Sequence, residues 1–94
     1  MAALLIEHTI TDFDTWLPQF ESHAAVREAA GVTATIVWQD ADNPNHAFVL
    51  LKHPDIEVLR GFSQNPELAE RMKAAGLVGA PTFTFLGDAR KYEH

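Results

Sequence analysis

Apolar and polar residues alternate along four stretches of this chain, and the alternation predicts four β-strands. The strands are expected at residues 4–10, 32–39, 46–53 and 78–86. Because successive side chains of a strand point to opposite faces, one face of the first strand is expected to carry Leu4, Ile6, His8 and Ile10. By the same rule, one face of the second strand carries Val32, Ala34, Ile36 and Trp38.

The fourth strand has no charged residue on either face. One face carries Pro81, Phe83 and Phe85, and the other carries Thr82, Thr84 and Leu86. Such a strand is usually covered on both sides. The helices of a chain this short can cover only one side of a sheet, so a second copy of the chain is the simplest cover for the other.

A first helix is expected to run from about residue 13 or 15 to residue 30, with Asp12 or Asp14 as its cap and Gly31 as its stop. Its apolar stripe holds Phe13, Trp16, Phe20 and Ala24. Pro18 is compatible with this helix if it lies in the first turn, where its missing N–H has no intrahelical partner.

A second helical region follows Pro54 and Asp55 and is interrupted at Asn65-Pro66, which can open a further helical piece over residues 67–75. Residues 40–45 are rich in turn formers and predict a hairpin loop. The expected order is therefore strand, helix, strand, strand, helix, strand. It predicts an α+β ferredoxin-like βαββαβ sandwich, with a four-stranded antiparallel sheet and its helices on one face.

The other face of such a sheet would expose a large apolar patch. Two copies pairing sheet to sheet about a two-fold axis would remove it and form a dimeric α/β barrel. We therefore expect a homodimer built from one domain over residues 1–87, followed by a polar tail over residues 88–94.

Composition and net charge limit the classes of partner that the chain is expected to bind. The chain has 94 residues, no cysteine and a net charge of -6, which disfavours nucleic acid as a partner. The first residues lack a basic lead and meet Glu7 early, so we expect a strand there rather than a signal peptide or a membrane segment. A cytoplasmic location is the resulting expectation.

His8 is the strongest candidate for a catalytic residue, because a histidine among apolar neighbours can stay neutral and act as a base near pH 7. The alternative is a core histidine satisfied by one hydrogen bond. His46 begins the third strand, and an antiparallel pairing with the first strand would bring it near His8. The end of the second strand, with Trp38, should lie at the same end of the subunit, which we expect to be a pocket mouth.

Several aromatic residues that follow helix or strand periodicity could line that pocket or could belong to the ordinary hydrophobic core; they are Trp16, Phe20, Trp38, Phe48, Phe83 and Phe85. His23 and Arg27 lie one helical turn apart and could bind an anionic or phenolic oxygen, although a solvated helix flank is the simpler interpretation. The sequence offers no motif for a metal, a phosphate loop, a nucleophile elbow or a dinucleotide, so no metal or organic cofactor is expected.

Several segments resemble small proteins of the dimeric α/β-barrel superfamily, in its antibiotic-biosynthesis-monooxygenase-like branch. They are Phe13-Asp14-Thr15-Trp16, residues 27–31, residues 40–45, residues 63–68, residues 72–76 and Gly79-Ala80-Pro81-Thr82-Phe83. The resemblance implies a homodimer with an apolar pocket between the sheet and the helices of each subunit. The branch includes cofactor-independent oxygenases and polyketide cyclases.

Two functions remain open from the sequence. The first is a cofactor-free monooxygenase, cyclase or isomerase that acts on an apolar aromatic or polyketide-like molecule, with His8 as the base and His46 or Arg27 holding an oxyanion. The second is a non-catalytic dimer that binds a small ligand or supports another protein. A hollow cavity in contact with His8 would favour the first, and a cavity filled by Trp16, Phe20 and Trp38 the second.

Overall fold

The computed structural model describes residues 1–94 and contains four strands and four helices. In chain order they are β1 (Ala2–Ile10), α1 (Phe13–Ser22), α2 (Ala24–Ala29), β2 (Ala34–Gln39), β3 (His46–His53), α3 (Ile56–Gln64), α4 (Pro66–Ala74) and β4 (Leu77–Leu86). None of the helices is long and apolar enough to cross a membrane.

The strands form one antiparallel sheet in the order β2-β3-β1-β4. Apart from Ala3, the buried side chains of the two central strands point to the same face, where the helices cover them; among them are Leu4, Ile6, Ile10, Val49 and Leu51. The ferredoxin-like prediction is therefore confirmed, including the helices on one face and the antiparallel sheet.

Short polar side chains start three of the helices by accepting a hydrogen bond from a backbone N–H of the first turn. Asp12 accepts from Thr15, Asp55 from Glu57 and Asn65 from Glu67, at 2.9–3.0 Å. Asn65 also ends α3 and is followed by Pro66 in the first turn of α4, so the predicted interruption at Asn65-Pro66 is confirmed.

The first helical region differs from the prediction of one continuous helix. It consists of α1 and α2, which are separated at His23, a residue with non-helical backbone angles (φ -97°, ψ 14°). Pro18 is the sixth residue of α1, beyond its first turn, and α1 nevertheless continues to Ser22. At the break, the carbonyl of His23 accepts hydrogen bonds from Val26 and Arg27 and so starts the second helix.

A bulge interrupts the pairing of β1 with β4 opposite His8. Glu7 pairs with Thr82 and Thr9 pairs with Val78, so three residues of β4 face the single residue His8. Gly79 lies in this bulge with a φ of 74°, a conformation that suits glycine. The strand begins one residue before the predicted start at residue 78, since Leu77 already pairs with Ile10 of β1.

The face of the sheet away from the helices has no cover within the chain. We call it the open face; its apolar members include Leu5, Ile36, Trp38, Phe48, Leu50 and Leu86. Trp38 is 48% exposed and Ile36 36% exposed. The predicted apolar outer surface is therefore present, at residues that a soluble monomer normally buries.

Candidate functional site

A cavity of about 80 Å³ lies between the sheet and the two helical pairs, α1–α2 and α3–α4. The strands β1 and β3 form its floor, and each helical pair contributes one wall. Most of the lining residues are hydrophobic; they include Ile6, Trp16, Phe20, Val49, Leu51, Phe62, Leu68 and Met72. A cavity thus lies between the sheet and the helices, where the resemblance implies an apolar pocket.

His8 lies on the floor of this cavity and is 5% exposed. Neither of its ring nitrogens has a hydrogen-bond partner in the protein. Its ring contacts the indole of Trp16, with centroids 5.2 Å apart and planes tilted by 59°. A core histidine satisfied by a hydrogen bond, the plain alternative from the sequence, does not describe this residue.

Burial lowers the pKa of His8 from 6.5 to about 4, and the nearby charge of His46 adds a smaller contribution in the same direction. Removing the imidazolium from water is costly, so the neutral ring is favoured. At pH 7 the ring is therefore uncharged and has a free lone pair on one nitrogen.

Three further titratable side chains line the cavity: His23, Arg27 and Arg71. Arg27 is held in place, because its Nη1 donates to the carbonyl of Phe20 at 3.0 Å and its guanidinium lies 3.9 Å from the centroid of the Phe20 ring. Burial lowers the pKa of Arg27, while Glu28 opposes the shift. Arginine remains charged at neutral pH, so this wall of the cavity carries a fixed positive charge.

The structure separates His46 and Trp38 from His8. His8 pairs with Ala47, which points to the helices, so the adjacent His46 points to the opposite, open face. Trp38 pairs with Phe48 and lies on that same open face. Both residues lie at the end of the sheet where the sequence predicts them. Neither lines the cavity, because successive residues of a strand point to opposite faces and these two point away from the helices.

On the open face, His46 has an acidic partner that the sequence analysis did not identify. Its Nδ1 lies 3.1 Å from Oδ2 of Asp40, and its ring packs against Phe48 with centroids 4.5 Å apart. The pKa of Asp40 is lowered, first by the backbone N–H of Asp42 and then by the hydrogen bond with His46. This pair is a feature of the outer surface and is not positioned to act in the cavity.

Phe83 lines a neighbouring pocket of about 340 Å³ between α3, α4 and β4, rather than the cavity that contains His8. The two spaces have three lining residues in common, Phe62, Leu68 and Met72. Side chains of α3 and α4 therefore form the partition between them. Of the other candidate aromatic residues, Phe85 packs under Arg60, with the guanidinium 4.8 Å from the ring.

Sequence reasoning missed the contribution of α4 to the site. Leu68, Met72 and Ala75 follow the spacing of one helix face, and Arg71 lies beside them. That spacing is visible in the sequence, but it reads equally well as ordinary core. No cluster of three or more His, Cys, Asp or Glu side chains that could hold a metal ion occurs in the chain.

Neither a protein-family model nor a curated protein matches this sequence, but solved structures match nearly the whole chain. One, described as an antibiotic biosynthesis monooxygenase, is 15% identical with a TM-score of 0.71, covering 96% of this chain and all of the other. A variant of SnoaB, a cofactor-independent oxygenase from Streptomyces nogalater, is 12% identical with a TM-score of 0.74, covering 99% and 97%. Rv0793 from Mycobacterium tuberculosis is 11% identical with a TM-score of 0.66, covering 99% and 100%.

Identities this low establish the shared architecture and leave the reaction open. The structural likeness agrees with the resemblance that the caps, turns and helix ends of the sequence carry. The chain therefore has the ferredoxin-like fold of the antibiotic-biosynthesis-monooxygenase-like proteins.

Proposed function

We propose that this protein is a small homodimeric enzyme that removes a proton from an apolar aromatic or polyketide-like molecule, with His8 as the base. The observation that carries the proposal is the state of His8, which is buried, neutral and without a protein partner for either nitrogen in the lining of an apolar cavity. An unsatisfied buried polar group costs stability, and an active site is where such a cost is commonly retained.

In the proposed step, an unprotonated ring nitrogen of His8 accepts a proton from an acidic C–H next to a carbonyl group of the substrate. The electron pair of that bond remains on the substrate as an enolate, whose oxygen Arg27 stabilises. A pKa of about 4 makes the free imidazole a weak base. The negative charge formed on the substrate then favours the imidazolium, since an adjacent opposite charge raises the pKa of a histidine.

The enolate has two routes onward. With dioxygen it gives a hydroperoxide that loses water, so that a CH2 group and O2 become a C=O group and H2O. With a proton returned at another carbon it gives an isomer. Oxygenation is favoured here because SnoaB, which has the same fold, is described as a cofactor-independent oxygenase.

The cavity of about 80 Å³ is small for a molecule with several rings. The partition formed by Leu68 and Met72 separates it from the pocket of about 340 Å³. Methionine is flexible and adapts readily to new neighbours, so a shift of Met72 would open the partition that it forms with Phe62 and Leu68. The joined space would take a substrate of two or three fused rings, with one ring against His8.

The homodimer is proposed from the open face. Its apolar side chains, among them Trp38 and Ile36, are exposed on a sheet that the helices cover on one side only. Two open faces packed about a two-fold axis would bury them, because such an interface is complementary to itself. The helix-side cavity of each subunit stays outside this interface.

The alternative function, a non-catalytic binding dimer, would be favoured by a cavity filled by Trp16, Phe20 and Trp38. Trp16 and Phe20 line the cavity without filling it, with centroids 5.0 Å apart. Trp38 is on the other face of the sheet. This arrangement supports the catalytic proposal.

Anthrone, a tricyclic ketone with an acidic CH2 group, is a suitable probe for the test. Under argon in D2O, the protein is expected to accelerate deuterium exchange at that CH2 above the rate in buffer. In air it is expected to convert anthrone to anthraquinone with one O2 consumed per molecule. No acceleration of either process would contradict the proposed proton abstraction.

A further inference from the structure

The cavity differs in charge from the rest of the chain. The sequence contains 13 Asp and Glu residues against 7 Lys and Arg residues. The residues that line the cavity nevertheless include no Asp or Glu, while two of the seven cationic residues, Arg27 and Arg71, are among them. An acidic protein thus encloses a locally positive cavity, which favours an anion inside it.

Arg71 is the more informative of the two arginines. Its side chain projects from α4 and is half-buried, and its guanidinium forms no hydrogen bond or ion pair with any side chain or carbonyl of the protein. Arg60, on the neighbouring α3, instead pairs with Glu57 at 3.5 Å. A guanidinium offers five N–H donors, and a planar anion can accept two of them at once.

Arg27 faces the same cavity from α2, on the opposite wall. One of its donors is committed to the carbonyl of Phe20, and stacking on the Phe20 ring fixes the plane of its guanidinium. This restraint lowers the entropy lost on binding a ligand. The two arginines therefore reach the cavity from separate helical pairs, with His8 on the floor between those walls.

We infer that the molecule bound in this cavity is an aromatic anion, with a carboxylate bound by Arg71, its apolar rings against Trp16 and Met72, and Arg27 left free for the enolate oxygen. The inference rests on the proposed function, since it names the substrate class of the same site. It adds that a fixed negative group, and not only apolar surface, selects the substrate.

The test compares 2-naphthoate with 2-naphthamide, which have nearly the same shape and differ in charge. Calorimetric titration of the intact protein is expected to show naphthoate binding at least about tenfold more tightly. The preference is expected to disappear in Arg71→Gln. It should persist in Arg90→Gln, which removes the same charge from an exposed residue of the C-terminal tail that lines neither this cavity nor the neighbouring pocket.

Equal affinity for the two probes, or no binding of naphthoate at millimolar concentration, would overturn the inference. So would an equal loss of naphthoate affinity in Arg71→Gln and Arg90→Gln, which would indicate a general effect of net charge. Circular dichroism of both variants confirms that the fold is retained. Because binding is measured without turnover, failure of the anion preference is distinct from failure of the anthrone exchange assay.

Discussion

The substitution His8→Leu is expected to abolish proton abstraction and, at the same time, to make the protein more stable. Loss of a general base lowers turnover by a factor on the order of 10²–10⁴. Replacing an unpartnered imidazole by an apolar side chain of similar size removes a desolvation cost of about 1–3 kcal/mol. For a domain of this size, that gain raises the melting temperature by roughly 4 °C or more.

The stabilisation by His8→Leu is expected to depend on pH, because protonation of His8 is coupled to unfolding. The pKa of His8 is about 4 in the folded chain and 6.5 in the unfolded chain, so the unfolded state binds more protons between these values. The wild type therefore loses stability as the pH falls from about 6.5 towards 4. The stabilisation by His8→Leu should accordingly be larger at pH 4.5 than at pH 7.5.

Anthrone exchange and thermal unfolding, both measured on the same preparations, check this prediction. The matched variant is His46→Gln, which alters a histidine at the same end of the sheet but on the open face. Its effect on the exchange rate is expected to be far smaller. A His8→Leu protein that retains exchange activity, or that melts well below the wild type, would be inconsistent with an unsatisfied catalytic imidazole.

The second large effect is expected at the open face. Light scattering should give the wild type a mass of twice the 10.4 kDa of one chain. In Leu50→Lys, a charge is placed where Leu50 pairs with Leu5 and Ile36, near the middle of that face. Burying two such charges in a symmetric interface is strongly unfavourable, so the variant should be monomeric and retain its secondary structure.

Ala25→Lys is the control for this experiment, because it adds the same charge to an exposed residue of α2 on the helix side. It should remain dimeric. A wild type that is monomeric at micromolar concentration, or a Leu50→Lys protein that stays dimeric, would show that the open face is not the dimer interface.

The fold was largely predictable because its signals are local. Asp12, Asp55 and Asn65 cap helices, and each of these residue types has a physical reason to do so. Alternation placed His8 correctly on the buried face of β1. The break at His23 was missed because its flanking residues Ser22 and Ala24 are compatible with a helix, and only backbone angles reveal it.

The residues of the site were predictable only where a single strand or helix determines which way the side chain points. His8, Trp16, Phe20 and Arg27 reach the cavity because each faces inward on its own strand or helix. His46 and Trp38 depend on the register between strands, and a shift of one residue changes the face. No local pattern indicates this register.

The ionisation of His8 is the most direct test of the whole account. The ring nitrogens of the folded protein, labelled with ¹⁵N, can be followed by NMR from pH 7.5 to the acid limit of folding. We expect a neutral ring at pH 7 and a protonation midpoint near 4, well below that of an exposed histidine. A midpoint at or above 6.5 would contradict it, because the ring would then be solvated or paired with an acid.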